Sequence, residues 1–150
     1  MPIDDAYFLN IAYEQALIAR DLDEVPVGAC IVLDNKVIAT GYNSKENNND
    51  VLGHAEINAI KSAQIKQQTW RLLECTLYST LEPCPMCSGA ILQSRIKRVV
   101  YGAKDFNWGA HQSKINIFKE DTYNHNTLID YHQDEKCGQI LKNYFKSKRK

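Results

Sequence analysis

The sequence predicts an α/β fold in which helices cover both faces of a mixed sheet. Three observations carry this reading. An apolar, β-branched run turns back on itself through two turn-forming residues, as an antiparallel hairpin does. After the hairpin, helical and strand patterns alternate, and such alternation adds strands through helical crossovers. Two short clusters of metal-ligating residues each fall where a helix begins, directly after a loop or strand.

Asp4 or Asp5 caps a first helix, on which Phe8, Ile11, Ala12, Gln15 and Ala19 form one mostly apolar face. That helix ends near Arg20 and Asp21, and Pro26 prevents its continuation. Residues 27–33 read as a buried strand, Asp34 and Asn35 as the hairpin turn, and residues 36–42 as the returning strand. The polar stretch at residues 47–50 is a loop. Residues 54–63 form a second helix with Ile57 and Ile60 facing the core, and residues 76–81 a third strand. Residues 85–94 form a helix with Ala90, Ile91 and Ser94 inward, followed by a fourth strand at 98–101. Residues 127–131 read as a fifth strand, and residues 135–145 as a terminal helix carrying Ile140, Leu141, Tyr144 and Phe145. Between residues 107 and 126 no periodicity stands out.

At 150 residues the chain suits one domain spanning its whole length, with a core that needs no disulfide. Its 18 basic and 18 acidic residues cancel, so any attraction for nucleic acid has to come from local patches. No apolar run approaches the ~20 residues of a membrane span. The acidic first residues lack a secretory core, so the expected location is cytoplasmic, with no membrane partner. Of the five cysteines only Cys84 and Cys87 are close in sequence, and a reducing compartment favours metal binding for such a pair. Cys30, Cys75 and Cys137 read as packing residues, and His111, His125 and His132 as surface residues, with His111 alone in a region that could line a site.

The chemistry sits in His54-Ala55-Glu56 and Pro83-Cys84-Pro85-Met86-Cys87. Cys84 and Cys87 share one face of a helical turn, so both sulfurs can meet one ion. The partial positive charge of a helix start favours their thiolates. His54 supplies a third ligand from the other helix, which predicts one Zn²⁺ per chain with its fourth position open for chemistry. Glu56, two residues past His54, is free of the metal and is the predicted proton shuttle. The arrangement matches the H-x-E…P-C-x-x-C signature of zinc base deaminases. A structural zinc knuckle would want a second close pair, and a redox pair has no use for His54 and Glu56.

Beyond these motifs, residues 24–29, Gly41-Tyr42-Asn43, residues 70–72, residues 76–84 and residues 94–105 resemble the bacterial tRNA-specific adenosine deaminase family over nearly the whole length. That resemblance implies a three-layer α/β/α cytidine-deaminase-like fold with a five-stranded mixed sheet, and a homodimer. It implies conversion of the wobble adenosine of a tRNA anticodon, typically of an arginine tRNA, to inosine. By position it implies His54, Cys84 and Cys87 as zinc ligands and Glu56 as shuttle. It further implies Asn43, Val27 and Ala55 as residues around the target base and Asp105 as a contact to the sugar–phosphate. Lys104, Lys142, Tyr144, Phe145, Lys146 and Arg149 are candidate RNA contacts, since a splayed single-stranded loop offers phosphates to cations and bases to aromatic faces. The chain departs from the resemblance at residues 51–53 and 110–115, and it carries bulky Phe106 and Trp108 near the expected RNA path. Two other readings stay open on the motifs alone: a deaminase of a free base such as guanine or cytosine, and a catalytically silent, zinc-stabilised RNA-binding subunit.

Overall fold

The computed structural model describes residues 4–120 and 122–149. Helix α1 spans Asp5–Asp21, strand β1 Gly28–Leu33, β2 Lys36–Tyr42 and helix α2 Ala55–Gln67. Then come β3 Thr76–Ser79, α3 Pro85–Gln93, β4 Arg98–Tyr101, β5 Leu128–Tyr131 and α4 Glu135–Lys148. The strands form one sheet in the order β2-β1-β3-β4-β5. β1 runs antiparallel to β2 and β3, while β3, β4 and β5 are parallel. This is the expected five-stranded mixed sheet. Among the described residues no helix is long and apolar enough to cross a membrane.

Each element forms where its residues dictate. Asp4 accepts a hydrogen bond from the Tyr7 N–H at 3.0 Å and caps α1. Asp34 and Asn35 both take positive φ, as a tight hairpin turn requires, and Asn and Asp tolerate it best. β3 is shorter than its sequence suggests. The Ser79 hydroxyl donates to the Leu81 carbonyl at 2.8 Å and bends the chain out of the sheet toward α3.

Alternation along the strands divides the core into two layers. Ala29, Ile31, Leu77 and Val99 pack with Ala55, Ala59, Ile60 and Ala63 of α2 and Ile91 and Leu92 of α3. Cys30, Val32, Tyr78 and Val100 face the other way, onto Phe8, Leu9 and Ala12 of α1 and Cys137 of α4. On that side Arg98 reaches both carboxylate oxygens of Asp5 at 2.8 Å and one of Asp130 at 2.9 Å, tying β4 to α1 and β5.

Several inward faces differ from those read off the sequence. On α1 the buried stripe is Phe8, Leu9, Ala12, Ala16 and Ala19, with Ile11 and Gln15 at its margin. On α2 Ile57 is only half-buried, and the inner face is largely alanine. The reason is proximity: a Cβ on Gly41 of β2 would lie 2.4 Å from the Ala55 carbonyl oxygen and 2.5 Å from the Ala59 nitrogen. Helix and strand touch backbone to backbone, so bulk is admitted only at the flanks. On α3 the buried residues are Cys87, Ser88, Ile91 and Leu92, with Ala90 half-buried, and Ser94 follows as a buried cap. On α4 Cys137 and Ile140 are buried, whereas Leu141 and Tyr144 are half-buried and Phe145 is exposed.

Gly41→Ala is therefore expected to lower stability by about 1–3 kcal/mol, because backbone has to move to admit one methyl. Urea unfolding of the two proteins measures this, and an unchanged midpoint would show that α2 has slack against β2.

Candidate metal centre and its cavity

The local sequence builds the site at the starts of two helices. His54 is the N-cap of α2, in extended conformation, so its ring lies ahead of the first turn. Asn58, one turn later, donates to the Tyr42 carbonyl at 2.8 Å and to Ser44 Oγ at 3.0 Å, which fixes the approach of the chain. Cys84 is the N-cap of α3, its sulfur accepts from the Cys87 N–H at 3.5 Å, and Pro85 follows in the first helical turn.

These two starts bring the three predicted ligands together. His54 Nδ1 lies 3.5 Å from Cys84 Sγ and 3.4 Å from Cys87 Sγ. All three donor atoms lie within 4.8 Å of one another. A tetrahedral zinc ion with sulfur at about 2.3 Å and nitrogen at about 2.0 Å holds those donors about 3.5 Å apart. The donor set therefore fits zinc in both chemistry and spacing. The neighbouring Cys87 thiol and then the His54 ring lower the Cys84 thiol to about 4, against the effect of its burial. Cys87 moves the other way, first because it shares a proton with Cys84 and then because it is buried. Thiolate is the form that binds a cation.

Glu56 is 4% exposed and faces the same cavity. Burial first, and then the negative charge of Cys84, push its carboxyl up to about 7. A carboxyl in that range exchanges protons readily near neutral pH. The cavity measures about 580 Å³, the size of a small-molecule site. Val27, Asn43, Ala55 and Asp105, all singled out from the sequence, line it together with His54, Glu56 and Cys84. Asn43 is held on both sides of its amide: it donates to the Val25 carbonyl at 3.1 Å and accepts from the Lys45 N–H at 3.2 Å.

The candidate RNA contacts lie elsewhere. None of Lys104, Lys142, Tyr144, Phe145, Lys146 or Arg149 lines this cavity. Lys104 stands over the Tyr131 ring at 5.1 Å. Lys142, Lys146 and Arg149 are exposed on or just after α4. Tyr144 donates to the Asp23 carbonyl at 3.3 Å, and Lys148 pairs with the Asp23 carboxylate. Lys150 lies outside the described residues.

Two buried glutamates that sequence reasoning passed over organise the cavity walls. Glu24, 1% exposed, accepts from the backbone N–H of Glu46 at 3.0 Å and of Asn47 at 2.6 Å, and from the Asn47 side chain. Glu82, also 1% exposed, accepts from the N–H groups of Asp105, His111, Gln112 and Ser113 and from the Ser113 hydroxyl. Burial works against the Glu82 charge, but these donors outweigh it and hold its carboxyl below the ordinary value of 4.5. Gly109 lies so close that a Cβ there would sit 2.3 Å from the Glu82 carboxyl carbon. The available signal was position, since Glu82 directly precedes Pro83-Cys84. His111 is half-buried, its Nδ1 is 2.8 Å from the Tyr101 hydroxyl, and it stands outside the cavity.

Comparisons with known proteins show the family of the chain and neighbours of its fold. The profile of the MafB19-like deaminase family matches residues 3–149. The tRNA-specific adenosine deaminase of Buchnera aphidicola subsp. Schizaphis graminum (strain Sg) is 43% identical over 147 residues, covering 97% of this chain and 96% of its own. A solved structure from work on A-to-I editing by tRNA:A34 deaminases at the wobble position of transfer RNA superposes with a TM-score of 0.86. It is 39% identical and covers 91% of this chain and 99% of its own. The guanine deaminase of Bacillus subtilis is also 39% identical, but it superposes at a TM-score of 0.65 over 67% of this chain and 65% of its own.

Glu82→Gln, which puts an amide donor among N–H donors, is expected to cost about 2–4 kcal/mol and to speed amide exchange across residues 105–113. The sign with pH is fixed. The contribution of a depressed carboxyl is full above 4.5 and is lost as pH falls through its lower folded value. The stability gap between wild type and variant should therefore close in acid, and a gap that persists there would show that Glu82 is not held as a carboxylate.

Proposed function

This chain belongs to the tRNA-specific adenosine deaminase family and to the MafB19-like deaminases, and we propose that it hydrolyses the wobble adenosine of a tRNA anticodon, an arginine tRNA first, to inosine. The observation that carries the reading is the grouping of His54, Cys84 and Cys87 donor atoms within 4.8 Å of one another, with buried Glu56 lining the same cavity as His54 and Cys84. His54 Nδ1 and the Cys84 and Cys87 sulfurs would hold one Zn²⁺ per chain. When bound, the ion would supply the Lewis acidity that makes water nucleophilic near neutral pH.

The residues of the chain account for the rest. Adenosine and water become inosine and ammonia: a C–O bond forms at C6 and the C6–N bond breaks. Glu56 takes a proton from the attacking water and returns it to the departing amino group. Asn43, oriented by Val25 and Lys45, presents its remaining donor and acceptor to the nucleotide. Val27, Ala55 and Asp105 line the cavity, where Val27 and Ala55 would border the base and Asp105 would meet the sugar–phosphate.

Outside the cavity, Lys142, Lys146 and Arg149 would meet phosphates of the anticodon stem-loop, with Tyr144, Phe145 and Lys104 flanking. Their support is the tie from Tyr144 and Lys148 to Asp23, the neighbour of Glu24, which braces the loop beside the cavity. A homodimer is part of the same reading. Exposed Ile65, Trp70 and Leu73 around the end of α2 offer it apolar surface. The proposed site of action is the cytoplasm, where tRNA is, and one deaminase domain would occupy residues 1–150.

Glu56→Ala should retain one zinc per chain by elemental analysis while inosine formation in the tRNA falls by about 10²-fold or more. An active variant would remove the shuttle role, and zinc-free wild-type protein would remove the metal. Deleting residues 146–150 should weaken tRNA binding and flatten its dependence on salt. An unchanged salt slope would mean that the basic tail makes no phosphate contact.

A further inference from the structure

Trp108 combines two properties that rarely coincide. Its side chain lines the cavity, and yet it is 68% exposed. Trp70, the second tryptophan, carries the Arg71 guanidinium 4.4 Å from its ring centroid. Among the described residues Trp108 has no such aromatic or cationic neighbour. A large apolar ring standing in water at the mouth of a site is unfavourable until something covers it.

The ring also stands on a fixed support. The Trp108 and Asn107 N–H groups both donate to Asp105 Oδ1 at 3.1 Å. The Gly109 N–H donates to the Asp105 carbonyl at 2.8 Å. The Asp105 N–H donates to buried Glu82 at 3.2 Å. The turn is thus bonded to itself and to a buried carboxylate, so little ordering remains when a partner lands on the ring. Lys45 also lines the cavity and is exposed, and it offers a cation at the same mouth.

A free base would fit inside the cavity and leave the mouth bare. A nucleotide joined to the target base has to lie at the mouth, because the backbone connects them. We propose that Trp108 is a stacking platform for the nucleobase adjacent to the target in a single-stranded RNA loop, with Lys45 facing the intervening phosphate. The inference rests on the RNA-deaminase reading above. Stacking on a π-face is tolerant of sequence, so the platform would fix the strand without selecting one neighbouring base.

The test uses the zinc-loaded full chain and an RNA stem-loop carrying the target adenosine, in intact form and with an abasic site on either flank. Trp108→Ala should lower kcat/KM on the intact loop by about tenfold or more. It should have no effect on the loop that lacks the stacked base, and Trp108→Phe should restore most of the activity. Phe106, 72% exposed on the same turn but outside the cavity, serves as control, and Phe106→Ala should leave the intact-to-abasic ratio unchanged. In a Trp70→Phe background the remaining indole reports on Trp108 alone, and its fluorescence should be quenched by the intact loop and not by the abasic one. Equal losses on both loops, or no loss, would overturn the proposal while wild-type activity on RNA left the function standing. Conversion of a dimer to a monomer by Trp108→Ala would also overturn it, by showing that a second copy of the chain covers the ring. Wild-type protein that releases ammonia from a free base and leaves every RNA untouched would instead refute the RNA reading itself.

Discussion

The site depends on one contact in which backbone meets backbone: the first turn of α2 against β2 at Gly41. Because no Cβ intervenes, α2 approaches closely enough for Ala55 and Ala59 backbone atoms to meet the strand. That approach sets the height of His54 above the sheet. On the other side, the Ser79 hydroxyl turns the chain out of β3 at the point where α3 has to start. The two helix starts then face each other, and Nδ1 and two sulfurs fall at tetrahedral spacing. Glu56 is buried for the same reason. It stands on the side of the first turn that faces the cavity, and its burial is the first cause that raises its carboxyl.

The walls of the cavity follow a second logic. The segments flanking it have no ladder to occupy their backbone N–H groups, and buried N–H groups need acceptors. Two carboxylates provide them from opposite sides, Glu24 for residues 46–47 and Glu82 for Asp105 and residues 111–113. Each carboxylate is itself paid for by several donors, so neither needs a cation in the core. The same device leaves Asp105 and Trp108 on a hydrogen-bonded turn that lines the same cavity as His54 and Cys84, and it links stability of the fold to the shape of the cavity mouth.

What was legible in the sequence was local. His54-x-Glu56 and Cys84-x-x-Cys87 each lie within a turn of helix, so the grouping of His54, Cys84 and Cys87 could be read from spacing and the deaminase signature together. The hairpin was legible because Asp34 and Asn35 suit positive φ, and the strands because their apolar runs are short and bounded. What escaped depends on contacts distant in sequence. Ile57 looked like a core residue by periodicity, but the face of α2 that meets Gly41 carries Ala55 and Ala59, and Ile57 is left half-buried. Within residues 107–126, where no periodicity stands out, the N–H groups of residues 111–113 are held by one distant side chain, Glu82. The end of β3 was overrun because a single hydroxyl, and not a breaker residue, stops it.

The central claim is that this cavity deaminates adenosine within RNA and not a free base. The measurement that meets it most directly is a parallel assay of the purified, zinc-loaded protein. Inosine is read in an arginine tRNA with adenosine at the wobble position, and ammonia is read from adenine, guanine and cytosine. Inosine at that one position with no ammonia from the free bases is the predicted result. Ammonia from guanine or cytosine with an unaltered tRNA would contradict it and leave only the zinc–glutamate chemistry in place.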